Sequence, residues 1–224
     1  MSSRDVWTQW GGGNRDFLFD APDILRERHV DSPLELAWRH RLGKGQAAVV
    51  CDANAVFTMH LENDEEVVTS RQFSDGLALW QSRYSVDFHA GNSAYDGPHS
   101  TPALTKSSVV TVSIDATVKA IDRETASVRW SRNLRTDFGT RLPQSGFASS
   151  PLVYKNHVIL PTLGHPQSAE TERYAGASDK PDSDRISKQS SIPGAVALEL
   201  STGRTIWRSE TFRSSHASPT IVEI

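Results

Sequence analysis

The sequence predicts an all-β fold: a β-propeller of four-stranded antiparallel blades, incomplete, with room for about three blades and the start of a fourth. Three observations carry this. A tight turn followed four residues later by Trp occurs three times, at Gly76 and Trp80, Ala126 and Trp130, and Gly203 and Trp207. A Ser/Thr-Pro opening recurs at Thr101-Pro102, Ser150-Pro151 and Ser218-Pro219. No segment shows a sustained helical period, and the best candidate, Pro22 to Arg28, is long enough for one or two turns at most.

The first blade is the least regular. Leu36-Ala37-Trp38 reads as the last strand of a preceding blade. Ala47 to Leu61 supplies two strands, and Val67 to Arg71 a third. The turn at Asp75-Gly76 then leads into the strand that ends at Trp80. Gly supplies the positive φ that a tight hairpin needs, and period-2 alternation places the Trp on the buried face.

The second blade opens at Ser100-Thr101-Pro102-Ala103-Leu104. Pro fixes an extended entry and lacks a ladder donor, so it suits a strand's first position. Val109 to Val112 follows, then Val118-Lys119-Ala120-Ile121-Asp122, then the turn at Thr125-Ala126 and the strand to Trp130. The third blade repeats the order: Ser149-Ser150-Pro151-Leu152-Val153, His157 to Leu160, Ala195-Val196-Ala197-Leu198-Glu199, and Thr202-Gly203 to Trp207. Ala120 and Ala197 are small residues over which a large aromatic packs. Ala217-Ser218-Pro219-Thr220-Ile221 opens a fourth. Pro102 and Trp130 are 28 residues apart, and Pro151 and Trp207 are 56. Taking out the polar stretch 165–192 makes the two intervals equal. The domain reading is an N-terminal extended segment at 1–35 and a partial propeller at 36–224, with a flexible insertion at 165–192.

Composition narrows the partners. Lys plus Arg is 24 and Asp plus Glu 27, a formal charge of −3. That balance argues against a nucleic-acid binder working by phosphate neutralisation and against a polybasic membrane-surface protein. No apolar run reaches the roughly 18 residues of a membrane span. Cys51 is the single cysteine, which excludes an internal disulfide framework and a Cys-based zinc cluster. The polar, aromatic start, Met1 to Asp16, lacks the layout of a signal peptide.

These residues resemble the quinoprotein-like β-propellers built from pyrroloquinoline-quinone-type (PQQ-like) repeats. The repeat signature is a small residue, an apolar one, Asp, two variable residues, Thr-Gly, three variable residues and Trp. It stands here as Ala120-Ile121-Asp122 through Thr125 to Trp130, and as Ala197-Leu198-Glu199 through Thr202-Gly203 to Trp207. The opening, Trp7-Thr8-Gln9-Trp10-Gly11-Gly12-Gly13-Asn14-Arg15-Asp16, resembles the start of a bacterial subgroup of such proteins. The resemblance implies more blades than this chain has room for. The expectation is a fragment of a larger propeller whose open blade faces need covering. Members are often periplasmic or exported; the compartment of this chain stays open.

The resemblance implies two functions. One is a non-catalytic scaffold that binds a protein partner, the missing propeller half or a ligand, as in propellers of outer-membrane assembly factors and sensor modules. The alternative is part of a quinone-dependent alcohol or sugar dehydrogenase, with pyrroloquinoline quinone and calcium in the channel. In many such enzymes adjacent cysteines form a disulfide, which Cys51 alone cannot do. No Asp matches the family's catalytic one. The scaffold is the preferred reading, with no catalytic residue, cofactor or metal expected.

Four residues are candidates for a binding site at the channel mouth. His99 and His216 lie just before opening strands, and equivalent positions of successive blades encircle one end of a propeller channel. Arg141 and Gln144 lie in the inter-blade connection 136–147, and Arg141 has the fork to clamp a carboxylate or phosphate. Trp80, Trp130 and Trp207 read as structural residues that pack blade on blade. Ser149 and Ser150 lack a nucleophile-elbow context. Gly11-Gly12-Gly13 follows no strand and opens no helix, so it is not a phosphate loop.

Overall fold

Each repeat folds into its own antiparallel sheet. The computed structural model describes residues 6–18, 35–86, 88, 96–162, 192–210 and 216–222. Blade 1 comprises β1 (Val50–Cys51), β2 (Ala55–Glu62), β3 (Glu65–Gln72) and β4 (Ala78–Ser85). Blade 2 comprises β5 (Ala103–Leu104), β6 (Ser108–Val112), β7 (Thr117–Asp122) and β8 (Val128–Asn133). Blade 3 comprises β9 (Leu152–Tyr154), β10 (His157–Pro161), β11 (Ala195–Glu199) and β12 (Thr205–Arg208). In all three the spatial order follows the chain, as hairpin connections require. The expected insertion lies outside the described residues except for Ile192, as does the short helical candidate at 22–28.

The blades pack face to face, which is why the middle strands are apolar on both sides. Every residue of β6 is buried. Val110, Val112, Val118 and Ala120 turn towards Val158, Leu160, Val196 and Leu198 of blade 3. Val109 and Ile121 turn the other way, towards Val50, Phe57, Met59 and Val68 of blade 1. The period of 2 in β6 and β7 therefore sorts side chains between two interfaces rather than between core and water.

The Trp-turn repeat acts across these interfaces. Trp130 pairs with Ala120 across the strands, Trp207 with Ala197, and Trp80 with Ser70. A register shift follows at the same place in each blade, after Ser70, Ala120 and Ala197. Trp80 Nε1 donates to the Arg123 carbonyl of blade 2 at 2.8 Å, and Trp130 Nε1 to the Leu200 carbonyl of blade 3 at 2.8 Å. Trp38, where no strand forms, makes the same bond to the Phe73 carbonyl of blade 1 at 2.9 Å.

The turn glycine lies under the ring of the preceding blade's Trp. A Cβ built on Gly203 would come within 2.7 Å of Trp130 Cδ2, and one on Gly76 within 2.6 Å of Trp38 Cδ2. Gly76 and Gly203 have φ of 73° and 72°; Ala126, at the same place in blade 2, has φ of 62°. Gly203→Ala is therefore expected to cost about 1–3 kcal/mol through overpacking and backbone strain. Ala126→Gly is expected to be neutral or stabilising by up to about 1 kcal/mol, as relief of the left-handed strain offsets glycine's entropy. Urea midpoints of the two variants check the opposite signs.

A second repeated tie runs through the strand openings. Ala48 N donates to Thr101 Oγ1 at 3.1 Å, Thr101 N to Ser150 Oγ at 3.0 Å, and Ser150 N to Ser218 Oγ at 2.9 Å. The hydroxyl before each Pro thus accepts from the blade before it. Ser218 continues the series, which sets the fourth opening beside blade 3 although no strand forms within 216–222.

Two local expectations change. β3 begins at Glu65 rather than Val67, and Glu66 is fully buried. The connection after β8 begins with a helical turn, α1 (Leu134–Phe138), capped by Asn133 and closed by Gly139 in the left-handed conformation. Five residues are too few to leave a helical period in a sequence.

Candidate functional site

The segment from Trp7 to Gln9 runs along the first strands of the three blades. Trp7 exchanges backbone hydrogen bonds with Cys51 of β1, at 3.2 and 2.8 Å. Leu104 N of β5 donates to the Thr8 carbonyl at 2.6 Å. Val153 N of β9 donates to Gln9 Oε1 at 3.2 Å. Three successive residues thus satisfy the first strands of three successive blades. Those strands have a free edge, and unpaired edge groups need partners.

Beyond Gln9 the chain doubles back. Gly12 N donates to the Gln9 carbonyl at 2.9 Å, and Phe17 N to the Gly11 carbonyl at 2.9 Å. Gly11 and Gly12 have φ of 82° and 84°, and a Cβ on Gly12 would press on the Trp7 ring at 3.3 Å. Gln9 Nε2 ties the loop to the Gly13 carbonyl at 3.1 Å. The loop turns Arg15 inward. Arg15 is 6% exposed, and its Nη1 donates to the Pro151 carbonyl at 2.9 Å. Burial pulls the guanidinium down from 12.5 to about 10. A pocket of about 310 Å³ opens here, with Gln9, Asn14, Arg15, Leu152, Tyr154 and Ile221 in its wall.

A wider groove of about 590 Å³ follows the seam of blades 1 and 2. Trp80, Phe57, Asp52, Lys106 and Arg123 line it. Arg123 is ion-paired to Asp52 and stands over the Phe57 ring, 5.1 Å from its centroid. With both charges satisfied inside the seam, this groove reads as a blade joint.

The four channel-mouth candidates lie in neither cavity. His99 is half-buried and already engaged; Arg141, Gln144 and His216 are exposed. Gln9, Asn14, Arg15 and Tyr154 were not read as site residues from the sequence. The available signal was the glycine-rich loop itself, which holds an Arg between aromatic residues. Of the three Trp residues, Trp130 is 8% exposed and Trp80 half-buried, whereas Trp207 is 40% exposed.

A quinone-calcium centre needs acidic or other hard ligands for the cation. Among the described residues no group of three or more His, Cys, Asp or Glu stands where it could hold a metal ion.

Comparison with known proteins places the architecture. Among solved structures, a quinohemoprotein alcohol dehydrogenase from Pseudomonas putida HK5 is 18% identical with a TM-score of 0.60, covering 93% of this chain and 27% of that one. The quinohemoprotein alcohol dehydrogenase from Comamonas testosteroni is 19% identical with a TM-score of 0.57, covering 93% and 28%. BamB from Moraxella catarrhalis is 16% identical with a TM-score of 0.48, covering 81% and 41%. The chain thus spans just over a quarter of the length of the two dehydrogenases. At these identities the likeness is one of fold. No curated protein matches the chain. A family model described as outer membrane protein assembly factor BamB matches residues 29–214. With the blade repeats, that match shows that the chain belongs to this family of PQQ-like β-propeller proteins.

Proposed function

We propose that the chain is a non-catalytic propeller scaffold, and that a further propeller blade or another polypeptide packs on the face that blade 3 presents. One observation supports this most directly: Trp207 is 40% exposed, whereas its counterpart Trp130 is 8% exposed under the turn of the next blade. Trp38, Trp80 and Trp130 each donate to a turn carbonyl. Trp207 has no such acceptor among the described residues. Ile206 beside it is 37% exposed. The fitting partner presents a hairpin turn with a free carbonyl and a glycine under the ring, as Leu200 to Gly203 does for Trp130. The family description, an assembly factor, supports a role in holding other polypeptides. Among the described residues no helix is long and apolar enough to cross a membrane.

The test has two arms. Addition of pyrroloquinoline quinone and calcium is expected to give no bound quinone absorbance and no dye reduction with alcohol or sugar. Affinity capture is expected to recover a protein partner with the native chain and to lose it with Trp207→Glu. Quinone turnover would overturn the scaffold reading. Capture unchanged in Trp207→Glu but lost with alanine at His99, Arg141, Gln144 and His216 would move the binding face to the channel mouth.

A further inference from the structure

Residues 36–43 hold a strand's position without a strand's partners. Trp38 docks on the turn of blade 1 as Trp80 and Trp130 dock on the turns of blades 2 and 3. Two residues on, His40 Nε2 accepts from Arg71 Nη2 at 2.5 Å. Arg71 Nη1 donates to the Gly76 carbonyl at 2.8 Å, so one guanidinium holds both the turn and this strap. Lys44 then forms an antiparallel bridge with Leu61 of β2, with hydrogen bonds of 3.0 and 2.6 Å. A Cβ on Gly43 would overlap the Leu61 carbonyl oxygen, at 1.9 Å, so the strap seats closely on β2. Anchored on the turn and on β2, it is in place before any partner arrives, which lowers the cost of binding. Yet among the described residues no backbone N–H or C=O of 36–43 has a backbone partner. Unpaired backbone groups of this kind are a template for another strand.

Charge decides what that strand carries. Trp38 and His40 are engaged on blade 1. Arg39 and Arg41, which alternate with them, are exposed, and among the described residues neither has an ion pair. The cations nearby are already met: Arg83 pairs with Glu62, and Lys44 with Asp96. Residues two apart on an extended chain are about 7 Å apart, which is also the spacing of alternate side chains on a strand laid beside it. Each guanidinium fork suits a carboxylate. We propose that residues 36–43 take up an extended acidic polypeptide by strand addition, its alternate carboxylates on Arg39 and Arg41. This surface lies on blade 1, at the opposite end of the blade series from Trp207, and is independent of what covers that face.

The probe is a short fluorescent peptide that alternates Glu with Thr, its binding to the full chain read by anisotropy. Two peptides serve as controls: the same one with Gln for Glu, and one of equal charge that alternates Glu with Pro and lacks half the backbone donors. The Glu-Thr peptide is expected to bind about tenfold more tightly than either control, to weaken as salt is raised, and to slow amide exchange within 36–43. The double variant Arg39→Gln with Arg41→Gln changes exposed positions only. It is expected to lower the affinity about tenfold while keeping the native melting temperature. Trp207→Glu is expected to leave the affinity unchanged. Equal binding of the Gln or the Glu-Pro peptide, full affinity in the double variant, unchanged exchange within 36–43, loss of binding in Trp207→Glu, or no binding of the Glu-Thr peptide at millimolar concentration would each overturn the proposal.

Discussion

Trp130→Ala is expected to lower the stability of the chain by about 3–5 kcal/mol, the usual cost of deleting a buried aromatic side chain. The ring packs over Ala120 and above Gly203, inside the apolar cluster that joins blades 2 and 3. Its removal also strips the Leu200 carbonyl of its donor. Trp130→Phe separates the two effects: most of the packing stays, and loss of the N–H alone is expected to cost about 1–3 kcal/mol. Trp207→Ala is the control within the same chain. Trp207 has the same strand position but is 40% exposed, so its loss is expected to cost less than half as much. Urea denaturation of the three variants in one buffer reads the order. Equal costs at Trp130 and Trp207 would mean that the turn of the next blade does not hold Trp130.

That comparison also shows what was legible in the sequence. Gly or Ala at the turn, Trp four residues on and a small residue across the strand recur at fixed spacing, because one interface geometry is built repeatedly. Fixed spacing is visible without coordinates. The hydroxyls of Thr101, Ser150 and Ser218 were equally periodic, yet their role was not, because their partners are backbone N–H groups one blade away. The sequence drew attention to the Pro that follows them and to the donor it lacks.

The candidate site was legible only as a motif. Trp7 to Asp16 has no period of 2 or 3.6, and it reaches the sheets through one isolated bridge, one backbone bond from Leu104 N to the Thr8 carbonyl, and side-chain bonds. The burial of Arg15 depends on Pro151, 136 residues further along. His99 and His216 were chosen by blade equivalence. Equivalence fixes where a backbone lies in a propeller; it does not fix where a side chain points. Glu66 was passed over for a related reason. Glu65 and Glu66 follow the acidic turn Asn63-Asp64 and look like solvent-facing residues, but the strand has already begun and its second side chain enters the seam between blades 1 and 2.

Glu66 makes the stability of that seam depend on pH. It is fully buried, and burial pushes its carboxyl up from 4.5 to about 7. The Ile114 N–H at 2.9 Å and the nearby Ser113 hydroxyl oppose the shift, and Asp115 adds to it. Tyr84, buried beside Glu66, has its phenol held well above the usual range, chiefly by burial. Lys119 reaches over the Tyr84 ring, 3.3 Å from its centroid, and is itself pulled down by burial. A carboxyl raised in the folded state binds a proton that the unfolded chain has released. The stabilisation is complete below 4.5 and is lost as pH rises through about 7. A shift of this size corresponds to about 3 kcal/mol, so the urea midpoint is expected to fall between pH 5 and pH 8. Glu66→Gln keeps an acceptor for the Ile114 N–H and has no charge to desolvate. It is expected to flatten the profile, matching the native chain near pH 5 and exceeding it at pH 8. Lys119→Met removes a cation that interacts electrostatically with Glu66 and is expected to steepen the fall. Glu66 and Tyr84 belong to blade 1, and Ile114, Ser113 and Lys119 to blade 2, so ionisation loads this joint and not the apolar one between blades 2 and 3. Amide exchange is therefore expected to speed up in β3 and at Ile114 as pH rises, after correction for intrinsic rates, and to change less in β10 and β11. A native pH profile as flat as that of Glu66→Gln would show that Glu66 is solvated in solution.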